Sequence, residues 1–283
     1  MGLAWQLGTK RINLDRPRIM AIANATPDSF FAGSRLQDNG AARREALSTL
    51  LAEGADIIDV GGQSTRPGSE RVGAEEELRR VVPVIEELRR INDTIPVTVD
   101  TYFATVARAA LDSGADGVND ISAGRIDDAL LPLVAERGCG YVLMHMQGTP
   151  ESMQREPTYV DCVAEVGVFL AIRLGELEVA GIDRRRVVAD PGVGFGKRLG
   201  DNIALMTSVQ RLYDHVGIPL LYGISRKSFI AMLSGEQNPQ KRLAGSLGAT
   251  WELLNQGVML HRVHDVAATR QLLDVWQGMR NTG

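Results

Sequence analysis

The stretch AARREALSTLLAEGADIIDVGGQSTRPG, residues 41–68, contains one full repeat of the architecture. From Ala41 to Glu53, Arg43, Arg44 and Glu45 fall on one side of a helical period and Leu47, Leu50 and Leu51 on another, which predicts an amphipathic helix. Gly54 supplies its stop. Ile57 to Val60 is short and apolar, as a strand buried on both faces should be, and it runs into the polar cluster Gln63-Ser64-Thr65-Arg66.

The same unit recurs along the chain. Gly54-Ala55-Asp56 returns as Gly114-Ala115-Asp116, and further helices are predicted over Glu75 to Arg90, Phe103 to Asp112 and Tyr159 to Ala180. Eight apolar runs read as strands: Ile19 to Ala23, Ile57 to Val60, Ile95 to Val99, Gly117 to Val118, Tyr141 to Met144, Val187 to Ala189, Pro219 to Ile224 and Val258 to Val263. Gly117 to Val118 is the weakest of them. Each run ends at polar groups, in order Asn24, Gln63 to Arg66, Asp100, Asn119-Asp120, His145, Asp190, Ser225-Arg226-Lys227 and Arg262-Val263-His264. Alternating strands and helices fit a barrel or a doubly wound sheet. An open sheet gathers its ligand groups at one switch point, whereas here every strand end carries candidates. The expectation is a single (β/α)8 TIM barrel over residues 1–283, with its active site at the C-terminal ends of the strands.

Composition fits one such barrel. Of 283 residues 44% are hydrophobic, and 31 Lys and Arg face 35 Asp and Glu, so a net charge of −4 gives no general attraction to nucleic acid or an anionic membrane. Cys139 and Cys162 fit neither a disulfide framework nor a metal finger, which points to packing roles in a reducing compartment. No run reaches the ~20 apolar residues of a membrane span, and Met1 to Arg18 lacks a signal-peptide core. A cytoplasmic protein is expected.

The common nucleotide-binding glycine motifs are absent. Asp190-Pro191-Gly192-Val193-Gly194-Phe195-Gly196-Lys197 opens instead with an acid at a strand end. An ionised Asp there can accept two parallel N–H donors, as a guanidine-like ring edge offers, or it can cap the following turn. Arg262 and His264 alternate about Val263 and share one face, beside Asn24 once a barrel closes. A forked guanidinium, a ring N–H and an amide oxygen able to bind Mg²⁺ suit a diphosphate. A bridge from Arg262 to Asp265 is the structural alternative. Ser225-Arg226-Lys227-Ser228 precedes an apolar helix whose free N–H groups suit an anion. One of Arg226 and Lys227 should face the pocket and the other serve the structure.

Several segments taken in order resemble the dihydropteroate synthase family of pterin-binding TIM barrels. They are Asn24 to Phe30, Ile58 to Gly68, Val99-Asp100-Thr101, Asn119 to Ser122, Leu143 to Pro150, Asp190 to Lys197, Ser225 to Phe229 and Arg262 to Val266. The resemblance implies a transferase that joins 6-hydroxymethyl-7,8-dihydropterin diphosphate to para-aminobenzoate, giving 7,8-dihydropteroate and diphosphate in folate biosynthesis. It implies that Asp100, Asn119, Met144, Asp190, Gly194 and Lys227 bind the pterin, that Asn24, Arg262 and His264 handle the diphosphate, and that Asn24 holds the cofactor Mg²⁺. Thr65, Arg66, Pro67 and Ser228 would form the para-aminobenzoate side, Asp100, Lys227, Arg262 and His264 the catalytic set, and the protein a sulfonamide-targeted homodimer. The chain departs from the family pattern at Gln63, commonly Glu, at Phe103, often Lys, and at Phe31-Ala32-Gly33-Ser34, where the first loop is more apolar. Two other readings are a non-catalytic or altered-specificity pterin-binding paralogue and a pterin-dependent methyltransferase.

Overall fold

The computed structural model describes residues 3–25, 40–63, 72–149, 152–153 and 155–280. A hairpin of β1 (Ala4–Leu7) and β2 (Lys10–Asn13) comes first. It is followed by β3 (Arg18–Asn24), α1 (Gly40–Ala52), β4 (Ile57–Gly61), α2 (Ala74–Ile91), β5 (Val97–Asp100), α3 (Ala104–Asp112), β6 (Gly117–Asp120), α4 (Leu130–Arg137) and β7 (Gly140–Met144). The second half carries α5 (Cys162–Val179), β8 (Val187–Asp190), α6 (Leu199–Thr207), α7 (Val209–Val216), β9 (Leu221–Tyr222), α8 (Ser228–Ser234), α9 (Leu243–Asn255), β10 (Leu260–Val263) and α10 (Val266–Arg280).

Strands β3 to β10 form one eight-stranded sheet in the order β8-β7-β6-β5-β4-β3-β10-β9. Every described pairing in it is parallel, and a parallel bridge from Ala189 to Leu220 brings its two edges together. The expected TIM barrel is what forms. Gly117 to Val118, the weakest run, extends to a four-residue strand, and the shortest strand is β9, where Pro219 to Ile224 contracts to two residues.

The repeated Gly-Ala-Asp segment explains part of this order. Gly54 and Gly114 end their helices with φ of 91° and 105°. The carboxylate two residues on then accepts an N–H near the start of a neighbouring strand: Ile19 N donates to Asp56 Oδ2 at 2.9 Å and Val97 N to Asp116 Oδ2 at 2.9 Å. Arginines from nearby helices, Arg270 and Arg89, pair with the same two acids.

Inward and outward residues alternate along each strand. Outward side chains such as Ile19, Ile58, Val99, Val118 and Leu143 join the helices in the larger apolar core. Inward Met20, Ile57, Val142, Val188, Leu221 and Leu260 fill the lower barrel together with Trp5 and Leu7 from the hairpin. The hairpin therefore plugs the bottom. A Cβ on Gly140 would come within 2.7 Å of Leu7 Cδ2, so the plug requires glycine there. The Trp5 indole donates to the Arg186 carbonyl at 2.8 Å and fixes the plug's depth.

Candidate active site

Above the apolar plug the inward residues change character. Asp59, fully buried on β4, accepts Thr98 Oγ1 at 2.5 Å through one oxygen, and Asn119 Nδ2 at 2.9 Å and Arg262 Nε at 2.6 Å through the other. Arg262 reaches on from β10 to Asp100 Oδ2 at 2.7 Å. Two carboxylates thus share one guanidinium inside the barrel, leaving an excess of negative charge at its mouth. Burial pushes the Asp100 carboxyl up to about 7, with Arg262 opposing and Asp59 reinforcing that rise. Burial also disfavours the Arg262 cation, but Asp59 and Asp100 outweigh it and raise its affinity for the proton.

The next inward positions form the rim. Gly61 and Gly223 leave room there: a Cβ on Gly61 would lie 3.7 Å from Asn24 Oδ1 and 3.8 Å from Asp100 Oδ2, and one on Gly223 3.9 Å from Asp190 Oδ2. Asp190 takes the capping role read from its motif with one oxygen and leaves the other unengaged by that turn. Its Oδ1 accepts Gly192 N at 2.7 Å and caps the turn, while Oδ2 faces the barrel mouth near Gly223. Burial raises the Asp190 carboxyl, and Lys227 is the strongest influence holding it down.

Of the two cations after β9, Lys227 serves this mouth. It caps α8, donates to the Val193 carbonyl, lies 4.6 Å from the Phe195 ring centroid, and is pushed by burial down to about 8. Gly194 borders its side chain. Arg226 instead pairs with Asp265, the partner proposed for Arg262. Met144 packs with Tyr102, Ile121, Met146 and Met153, and the partly buried Phe103 and Phe195 flank this patch.

Beside the mouth lies a cavity of about 270 Å³ lined by Asn24, Glu53, Arg226, His264, Asp265 and the first residues of α10. His264 is oriented by Ser225, whose Oγ lies 3.1 Å from Nδ1 and accepts the His264 backbone N–H at 3.3 Å. The N-terminus of α10 faces this cavity and suits an anion, while the Arg226 guanidinium in its wall is paired with Asp265 and Glu53 adds a carboxylate. Asn24 and His264 come together there as the strand order requires, whereas Arg262 points to the buried acids and Arg226 supplies the cation in the wall. Ser228 is exposed at the start of α8. Thr65, Arg66 and Pro67, like residues 26–39, lie outside the described residues.

The departures acquire local partners. Gln63 Oε1 accepts the Tyr102 hydroxyl at 3.2 Å, and the Phe103 ring packs on that of Tyr102 with centroids 4.6 Å apart. Sequence reasoning gave no role to Asp59, Glu77 or Lys197. Asp59 carried a signal, a lone acid inside the apolar run Ile57 to Val60. Glu77 is buried under Gly62 with Oε1 unpartnered among the described residues, and burial raises it to about 7. It was legible only as one acid of a helix's first turn.

The model of the family described as pterin binding enzyme matches residues 20–264. A dihydropteroate synthase of Neisseria meningitidis serogroup B is 43% identical over 278 residues, covering 97% of each chain. The chain belongs to the pterin-binding family of dihydropteroate synthases. Family members are transferases. Among solved dihydropteroate synthases, that of Xanthomonas albilineans with 4-aminobenzoic acid superposes with a TM-score of 0.89 at 44% identity, covering 99% of both chains. That of Yersinia pestis in a sulfonamide drug complex gives 0.91 at 35% identity, covering 99% of this chain and 100% of that one.

Proposed function

We propose that this chain condenses 6-hydroxymethyl-7,8-dihydropterin diphosphate with para-aminobenzoate, forming 7,8-dihydropteroate and diphosphate. The observation that carries the reading is the adjacency at one rim of an acid pair for a heterocycle and a cavity for an anion: Asn24 and Asp100 flank Gly61. Asp190, Asp100 and Asn119 take the N–H edge of the pterin, Lys227 a ring acceptor, and Met144 the ring face. His264 and Asn24 take the diphosphate, with Arg226 in the cavity wall. Arg262 sets the charge of Asp100 and approaches the leaving group from the buried side.

An anilinic amine is a weak nucleophile, so departure of diphosphate leads. The methylene C–O bond breaks with its electron pair leaving on oxygen, and the cation delocalises into the pterin. The uncompensated carboxylate charge of the Asp59–Arg262–Asp100 cluster stabilises that cation. The amine nitrogen then forms the C–N bond and gives its proton to water. Positional isotope exchange in the labelled diphosphate without amine is the expected result. Its absence, with strictly amine-dependent single-turnover chemistry, excludes the dissociative order.

Mg²⁺ fits this donor set. Among the described residues no cluster of three or more His, Cys, Asp or Glu could hold a metal, but Mg²⁺ commonly relies on few protein oxygens completed by phosphate and water. Asn24 would hold it through Oδ1, and when bound it neutralises charge on the diphosphate. We further place the protein in the cytoplasm, on the chemistry of its two buried, unpaired thiols, Cys139 and Cys162. Among the described residues no helix is long and apolar enough to cross a membrane. A homodimer through outer helices accounts for the exposed Val168, Ile172 and Val179 on α5 and Met232, Leu233, Val275 and Met279 on α8 and α10. Sedimentation showing a monomer at micromolar concentration overturns that assembly.

The deciding assay is diphosphate release by purified protein with both substrates and Mg²⁺. Tight pterin binding with no release to amine or water leaves the binding paralogue as the reading.

A further inference from the structure

The loop after β7 and the turn after β8 are pressed together around one buried ammonium group that the chemistry above does not use. Lys197 is 4% exposed, and its Nζ lies 3.0 Å from His145 Nδ1, 3.0 Å from the Phe195 carbonyl and 3.5 Å from the His145 carbonyl. All three acceptors are neutral, since burial, with help from Lys197 and Arg125, pushes the His145 ring down to about 2. His145 Nδ1 is then the lone-pair nitrogen and accepts from Lys197. Among the described residues Lys197 has no carboxylate within ion-pair distance. A buried ammonium held only by neutral groups is a costly way to join two loops, because burial disfavours its charge.

The surrounding backbone shows what the junction supports. A Cβ on Gly192 would fall 1.9 Å from the His145 carbonyl oxygen, and one on Gly196 2.6 Å from that of Gln147, so the two segments touch through their main chains. Tyr159 Oη donates to the Gly196 carbonyl at 2.8 Å, and Asn202 Oδ1 accepts Gly194 N at 2.7 Å. The turn fixed in this way presents the groups used above: Gly192 N holds Asp190 Oδ1, and Val193 O receives Lys227.

We propose that Lys197 is a positioning residue for pterin recognition, using His145 as its neutral acceptor to lock the turn that orients Asp190 and Lys227. The proposal rests on the functional reading above and gives His145 a task. Asp190, raised by burial, is held down by Lys227, its Gly192 hydrogen bond, Lys197 and Arg262 in that order. Around Lys197 itself, burial lowers the ammonium to about 7, while Cys162, Asp190 and Asp201 favour its charge and Lys227 opposes it.

The test compares native protein with Lys197→Met in steady-state kinetics against each substrate, in equilibrium binding of a dihydropterin, and in thermal unfolding. For Lys197→Met, kcat/KM for the pterin diphosphate should fall about tenfold or more with weakened dihydropterin binding, and KM for para-aminobenzoate should stay within about twofold. Should Lys197→Met not fold, His145→Leu carries the same expectations against His145→Asn, whose amide oxygen replaces the Nδ1 acceptor and restores the native values. Unchanged pterin binding and unchanged kcat/KM overturn the proposal, as does a parallel rise of both KM values tracking a loss of thermal stability. Native protein that binds no pterin overturns the functional reading instead.

Discussion

The lower and upper halves of the barrel interior are built from the same strands by the same alternation, yet they hold opposite contents. Below, Met20, Ile57, Val142, Val188, Leu221 and Leu260 close on Trp5 and Leu7 with no charged member. One inward position higher, Asp59, Thr98, Asn119 and Arg262 form a hydrogen-bonded ionic cluster, with Asp100 and Asp190 above. Stability and chemistry are thus separated along the barrel axis, as the division between bottom and top faces of this fold implies. The apolar burial of the plug helps offset the cost of the charges buried above it.

The most severe way to break the contrast is Arg262→Ala, which leaves Asp59 and Asp100 buried without their cation. It should cost ~3–5 kcal/mol of stability and on the order of 10²–10³ in kcat/KM, read by urea unfolding and the diphosphate-release assay. If this variant keeps full turnover, the upper layer is not the site. Trp5→Ala probes the other half: a loss of ~3–5 kcal/mol is expected, with kcat within about twofold in the folded fraction. A large fall in kcat at full folding means that the two halves are coupled.

Glu77 sharpens the comparison, being a charge-bearing group at the top that works against stability. Its carboxyl is raised from 4.5 to about 7, so the unfolded chain releases the proton first and stability declines as pH rises between those values. Glu77→Gln should therefore change little at pH 5 and stabilise by about 3 kcal/mol at pH 8, in paired urea titrations. Equal effects at both pH values would falsify the assignment. The smallest effect is on the native pH profile. With Asp100 near 7 and Lys227 near 8, kcat/KM for the pterin diphosphate should rise through about 7 and decline beyond about 8. A flat profile from pH 6 to 9 removes these two groups from the rate.

What the sequence made legible follows from range. A strand end marked by Asp100 or Asp190 after an apolar run is a local signal, and the Gly-Ala-Asp repeat marks two helix stops in the same way. Gly117 to Val118 read as weak because its continuation, Asn119-Asp120, is polar. Closure supplies partners from other elements: Asn119 donates to Asp59, and Asp120 accepts Ser122 N at 2.7 Å and the Tyr141 hydroxyl at 2.7 Å. The alternation about Val263 shows that Arg262 and His264 share a face, but the reach of Arg262 to Asp59 and Asp100, 203 and 162 residues away, requires the closed ring. Lys197 and His145, 52 residues apart, were likewise invisible as a pair. The hairpin escaped notice because Trp5 and Leu7 are isolated apolar residues in a polar stretch until the barrel gives them a floor to fill.

That floor has a consequence during synthesis. The indole partner of Trp5, the Arg186 carbonyl, is made 181 residues after it. At roughly 5–20 residues per second, the plug waits on the order of 10–40 s for the strands it must seal. Until then Trp5 and Leu7 are unburied apolar groups on a growing chain. Ribosome-arrested chains ending before Val187 should leave Trp5 open to quenchers, and chains extending past Val263 should shield it. Equal shielding in both would show that the hairpin finds an earlier, non-native shelter.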